Sequence, residues 1–151
     1  MSALATDLQT VNLPTVALAF MNEVHAEELA LVQDLAANLE QGSDDLISAQ
    51  LAAWLEHTQA HFAREEFLMR DYQFFAYPMH QSEHRQALQQ LKGVQQTWNE
   101  QADRALLGAY IHDWRAWLQQ HIMTMDFVTA QFLSRFPIPQ ASAEIDQLRT
   151  A

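Results

Sequence analysis

Apolar residues recur three and four positions apart along most of this chain, and that spacing predicts amphipathic helices. The first clear run is 22–40, "NEVHAEELALVQDLAANLE", apolar at Val24, Leu29, Leu31, Val32, Leu35 and Leu39. Asn22 is its expected N-cap. The stretch before it, "LPTVALAF", has two readings. It either starts the helix early, with Pro14 in the first turn, or packs as an extended arm. "QGSDD" at 41–45 reads as a turn, with Ser43, Asp44 or Asp45 able to cap a second helix over about 45–70. The connection "DYQFFAYP" ends at Pro78. A third helix over about 79–98 follows, apolar at Leu88, Leu91 and Val94. "NEQAD" reads as a turn, and a fourth helix runs over about 102–135. Pro137 and Pro139 cannot continue it. The tail, 136–151, either docks a short helix or frays.

Three glycines and four prolines leave few places for turns. Long amphipathic helices joined by short connections favour antiparallel neighbours. The expected fold is therefore all-α: an up-down-up-down four-helix bundle over about 15–135, with an N-terminal arm and a short C-terminal tail. The whole chain, 1–151, reads as one domain. No strand alternation and no repeat compete with this reading.

Charge narrows the partners. The net charge is −11 with a single lysine, Lys92, so the basic footprint of a nucleic-acid binder is missing. The absence of cysteine excludes disulfides, thiolate zinc sites and cysteine-held iron–sulfur clusters. "MSALATDLQT" lacks a signal-peptide pattern, and no apolar run nears the roughly 20 residues that span a bilayer. The expectation is a cytoplasmic protein with neither a nucleic acid nor a membrane as partner.

The histidines change the picture. "HFAREE" places His61 and Glu65 four apart, and "HQSEH" does the same for His80 and His84. Such pairs lie about 40° apart around a helix and face one way. With His25 and with His121 and Asp126, every predicted helix contributes to one candidate set. A single histidine of this kind is more often a packed or surface residue than a ligand. Seven residues at bundle-compatible spacing are a different matter, because bundle interiors are where facing helices build metal sites. Imidazole mixed with carboxylate suits iron better than calcium or magnesium, which favour all-oxygen shells. The set is too large for one ion. Two octahedral ions sharing both carboxylates and one oxo or hydroxo bridge would have one position left open, the size of place a diatomic gas takes. His121 and Asp126 are five apart, about 140° on a straight α-helix, so a π-type turn is expected there.

"HFAREEFLM", "HQSEH" and "WLQQHIMTMDF" make the sequence resemble the hemerythrin family over about residues 20–134. The resemblance implies a non-haem di-iron centre that binds O2 reversibly. It also implies roles: His80, His84 and His121 on one iron, His25 and His61 on the iron with the open position, Glu65 and Asp126 bridging. Storage or delivery of O2 is the leading function. A di-iron peroxidase or an enzyme consuming O2 or NO, using Glu28, is the alternative, and a sensor of oxygen or iron comes last. Ligands other than O2 would be NO or peroxide.

Trp114, Trp117 and Leu118 fall on the His121 face, and Phe62 follows His61. Leu118, Phe62 and Trp117 are expected to wall the O2 pocket, where excluded water protects the centre; ordinary bundle core is the competing reading. Two departures from the family stand out. Asn22 replaces its usual Asp, a change expected to matter little. Glu28 stands where it usually has an apolar residue facing the pocket. Two orientations are open for Glu28: outward to solvent or an arginine, which is slightly favoured, or inward toward the pocket. His57 is expected to pack in the bundle or to support a ligand, and His112 to lie on the surface.

Overall fold

The computed structural model describes residues 2–151. The elements are α1 (Ala3–Gln9), α2 (Ala19–Asn38), α3 (Asp44–Asp71), α4 (Tyr77–Gln101) and α5 (Arg104–His121). A π-helical segment (Ile122–Asp126), α6 (Phe127–Leu133) and α7 (Ser142–Arg149) complete the chain. There is no strand among the described residues. The long helices α2, α3, α4 and the continuous α5–π–α6 column form the bundle, as the periodicity predicts. Among the described residues, no helix is long and apolar enough to cross a membrane.

Local chemistry sets the boundaries. Ser43 caps α3 by accepting from the Leu46 amide at 3.1 Å. Tyr77 begins α4 with Pro78 in its first turn, where a missing N–H costs nothing. That helix runs three residues past the expected 79–98, because Asn99, Glu100 and Gln101 contain no breaker. The turn contracts to Ala102, left-handed at φ 49°, and Asp103, whose carboxylate accepts from the Leu106 amide at 3.0 Å. Arg104 then reaches across the bundle to the carbonyls of Leu39 and Gly42 at 2.8 and 2.7 Å, closing the α2–α3 turn.

The N-terminal side needs correction. Asn22 is not the N-cap; α2 starts at Ala19, and Asn22 sits in its first turn. Its side-chain amide accepts from the Val16 N–H and donates to the Val16 carbonyl, both at 2.9 Å. It therefore pins the extended arm that holds Pro14. Ahead of the arm lies α1, which the sequence reading missed. Ser2 caps it at the Ala5 amide, and Ala5 and Leu8 bury against the bundle. At the other end, the tail docks. Ile145 of α7 is fully buried, and Arg64 forms a two-pronged ion pair with Asp146 at 2.9 and 3.1 Å.

Two apolar clusters fill the interior. One gathers Leu35, Leu51, Trp54, Leu91, Ile111 and Leu118. The other gathers Met21, Leu68, Ala130, Leu133, Ile138 and Ile145. Along α2, His25 falls between Met21 and Val32; along α3, His61 and Glu65 fall between Trp54 and Leu68. The bundle is thus interrupted by a polar layer with a hydrophobic core on either side.

Candidate metal centre

That layer contains His25, His61, Glu65, His80, His84, His121 and Asp126, each at most 1% exposed. They come from α2, α3, α4 and the α5–π column, so four separate stretches converge. Glu65, His80, His84, His121 and Asp126 each offer one donor atom within 4.8 Å of the others, and His25, His61 and Glu65 form a second such group. The π-type turn expected after His121 is present over Ile122–Asp126. The extra residue it admits brings Asp126 Oδ1 to 3.1 Å from His121 Nε2.

Each carboxylate is divided between the two histidine groups. Glu65 Oε1 lies 3.3 Å from His80 Nε2 and 3.4 Å from His84 Nε2, while Oε2 contacts His61 Nε2. Asp126 Oδ1 lies 3.1 Å from His80 Nε2, while Oδ2 lies 2.9 Å from His25 Nε2. Yet among the described residues Nε2 of His25, His80, His84 and His121, Glu65 Oε1 and both Asp126 oxygens have no hydrogen-bond partner. Proximity without hydrogen-bond alignment means that these lone pairs aim at common points rather than at one another. An interior that leaves so many polar atoms unpaired is costly unless a cation satisfies them. Imidazole and carboxylate at such spacing fit a non-haem metal ion.

The outer nitrogens show an asymmetry. His121 Nδ1 donates to Glu83 Oε1 at 2.6 Å, His84 Nδ1 to Glu66 Oε2 at 3.1 Å, and His80 Nδ1 to the Thr129 hydroxyl oxygen at 2.7 Å. Each bond fixes the tautomer that turns the Nε2 lone pair inward. Among the described residues, His25 Nδ1 and His61 Nδ1 have no such partner. Sequence reasoning missed Glu66, Glu83 and Thr129. Glu66 and Glu83 each stand next to, or one short of, a candidate ligand, but adjacency puts them on another face of the helix, and nothing local says that they reach back to a ring on a neighbouring helix.

Charges in the layer hold each other strongly. Burial works against a charged His80, but contact with Asp126 and Glu65 prevails and raises its pKa to about 9. His121 rises to about 10 in the same way, with Asp126 the chief cause after burial. Burial also works against ionised Glu65, yet the neighbouring His61, His80 and His84 hold its carboxyl well below the usual range. Asp126 is held low too, with burial and Glu65 opposing and His121 and His25 prevailing.

The expected pocket residues separate. Phe62 is buried and stacks on His84 with ring centroids 3.8 Å apart and planes 3° from parallel. Trp117 stacks on His121 at 4.8 Å. Both line a cavity of about 710 Å³, as does Glu28. Leu118 is buried in the apolar cluster and is absent from that lining. The outward orientation favoured for Glu28 is wrong: its side chain is 3% exposed, and Oε2 accepts from Trp54 Nε1 at 2.9 Å. Trp54, one helix away, supplies the donor that makes burial tolerable, and nothing near Glu28 in sequence announces it. Glu28 nonetheless belongs to neither group of candidate ligands. His57 is half-buried and pairs with Glu27 at 3.1 Å, and His112 is exposed as expected.

Comparison with known proteins agrees with this construction. The family model for the hemerythrin HHE cation binding domain matches residues 16–133. The chain is 32% identical over 115 residues to a bacteriohemerythrin of Aquifex aeolicus (strain VF5), covering 76% of this chain and 88% of that protein. It is 36% identical over 85 residues to a myohemerythrin of Sipunculus nudus, covering 56% of this chain and 63% of the other. A helical bundle crossed by a buried histidine–carboxylate layer, matched by the family model over most of its length, places this chain in the hemerythrin family.

Proposed function

We propose that the chain holds two non-haem iron ions in its polar layer and binds O2 reversibly, for storage or delivery. The observation that carries this reading is the division of Glu65 and Asp126, each with one oxygen toward His80, His84 or His121 and the other toward His61 or His25. Glu65 and Asp126, placed in that way, would each help to hold both ions. His80, His84 and His121 would serve one ion and His25 and His61 the other, which leaves the second with fewer protein ligands. An iron pair so held supplies the electrons that make O2 binding reversible.

The chain's own residues do the rest. Glu83, Glu66 and Thr129 keep three imidazoles turned inward. Phe62 and Trp117 cover the outer faces of His84 and His121 and exclude water from them. The two carboxylates would offset half of the charge that a pair of ferrous ions brings into a dry interior. The enzymatic alternative would use Glu28 as a proton donor; its carboxylate is buried on the cavity that Phe62 and Trp117 also line, with Oε2 accepting from Trp54.

The test is optical and elemental. Reconstituted protein should contain about two iron atoms per chain. Anaerobically reduced protein should gain near-ultraviolet and visible charge-transfer bands on exposure to air and lose them under vacuum. Bands that never fade, together with rapid peroxide turnover in the presence of a reductant, would replace the carrier with an enzyme.

A further inference from the structure

The cavity beside the polar layer has a chemistry of its own. It measures about 710 Å³, within the usual range for a small-molecule site. Glu28 of α2 and Trp54 and Thr58 of α3 form one end, and α4 and α5 supply the flanks. Tyr110, Trp114 and Trp117 present aromatic rings to it, with Trp54 packed 5.3 Å from Trp114 and 5.7 Å from Tyr110. Its mouth lies among exposed positions such as Gln90, Gly93, Ala109 and Asp113.

At the Trp54 end, the indole and threonine donors are spent while acceptors remain open. The Trp54 indole N–H is committed to Glu28 Oε2. The Thr58 hydroxyl donates to the Trp54 carbonyl at 2.9 Å, which leaves its lone pairs unused. Glu28 is 97% buried on its 3% exposure, and among the described residues no arginine, lysine or histidine forms an ion pair with it. No arginine, lysine or histidine lines the cavity at all, whereas two carboxylates do. The Glu28 charge is felt inside: after burial, it is the cause that raises the Tyr110 hydroxyl pKa. A deep carboxylate without a counter-ion, ringed by aromatic faces, is the arrangement that recognises an organic cation.

We propose that this cavity is a binding site for a small alkylammonium ion, with Glu28 and Thr58 accepting from its N–H groups and the Trp54, Tyr110 and Trp114 rings packing around its carbon chain. The site is separate from the candidate metal ligands, since Glu28 belongs to neither group. It borders them through Phe62 and Trp117, and the Glu28 charge reaches His25; its occupancy can be measured whether or not O2 binds.

The test uses the full metal-loaded chain at pH 7 and constant ionic strength, titrated with n-butylammonium chloride and with n-butanol. An alkylammonium keeps its proton at this pH and is no metal ligand. Calorimetry and indole fluorescence should report saturable binding of one cation per chain, about tenfold or more tighter than the alcohol. Glu28→Gln keeps the acceptor for Trp54 and removes the charge, and it should bring the two ligands to within about twofold of each other. If that variant fails to fold, Gly93→Trp serves instead: a Cβ at Gly93 meets nothing within 4 Å, so the residue can obstruct the mouth without strain and should weaken cation binding. Equal affinity for alcohol and cation, an undiminished preference in Glu28→Gln, unaltered binding in Gly93→Trp, or no saturable binding of either ligand would overturn the proposal.

Discussion

Glu83→Ala is the most informative single perturbation of the metal layer. Glu83 does not touch the interior; it accepts from His121 Nδ1 at 2.6 Å from a position 26% exposed. The contact with His121 in turn holds the Glu83 carboxyl below its ordinary pKa, so the bond has ionic character. Removing the partner of a metal-ligating histidine typically weakens metal binding by 10- to 100-fold, about 1.4–2.7 kcal/mol. Exposure of Glu83 argues for the lower half of that range, because water can replace part of the bond. The effect should be local. On the proposed two-ion arrangement, chelation of the parent protein should proceed in two steps, with the ion at His25 and His61 leaving first, because neither ring has an outer partner among the described residues. In Glu83→Ala the second step should accelerate toward the first, while Glu83→Gln, which keeps an acceptor, should fall between. The assay is stopped-flow competition with a coloured iron chelator, read together with the iron content of desalted samples. Release at parental rates in Glu83→Ala, or release of the His80, His84 and His121 ion first in the parent, would refute the reasoning.

Three further outcomes are expected. Asn22→Ala removes both bonds to Val16 and should cost about 1–2 kcal/mol in urea denaturation, with freer proteolysis of the arm as a second readout. Ile145→Ala should cost about 2–5 kcal/mol, since Ile145 is fully buried under α7, and a loss below about 0.5 kcal/mol would mean that the tail does not dock in solution. In metal-free protein, the folded-state pKa values of His80 and His121 are raised to about 9 and 10 from 6.5. Their contribution is therefore fully present below about pH 6.5 and is lost as pH rises through 9 and 10, so the melting temperature of metal-free protein should fall over that window.

The sequence made the helices legible because their signals are local. A three-and-four apolar spacing, a serine cap at Ser43 and a proline at Pro78 act within a few residues of where they stand. The seven polar-layer residues were legible for a related reason: helical phase alone puts His61 with Glu65 and His80 with His84, and the five-residue gap to Asp126 required the π turn that is found. What stayed hidden depends on partners remote in sequence. Asn22 carries every mark of a cap, and only the arm folding back to Val16 changes its role. Glu28 could face either way on sequence alone, and only Trp54, 26 residues away, decides for the interior by offering its indole N–H. The docking of α7 rests on Ile145 entering the second core cluster and on Arg64 meeting Asp146 across 82 residues, contacts that no window of the sequence contains.

The polar layer also couples metal binding to folding. Five imidazoles and two carboxylates stand between two hydrophobic clusters with most of their inward atoms unpaired among the described residues. In the metal-free chain, protons are the available compensation, which is why His80 and His121 hold theirs so far above neutrality. A metal ion must displace those protons, so metal uptake should release protons and weaken as pH falls. Because the donors converge only in the folded chain, the ion binds the folded state in preference to the unfolded one. At a free concentration of 100 times its dissociation constant, it adds about 2.7 kcal/mol of stability. Calorimetric melting of metal-free and reconstituted protein at pH 7 should therefore show a gap that widens with metal concentration, and proton release on titration should be visible in an unbuffered dye assay. Identical melting temperatures in the two forms would mean that the layer is satisfied by its own hydrogen bonds, and that the converging lone pairs do not describe a metal site.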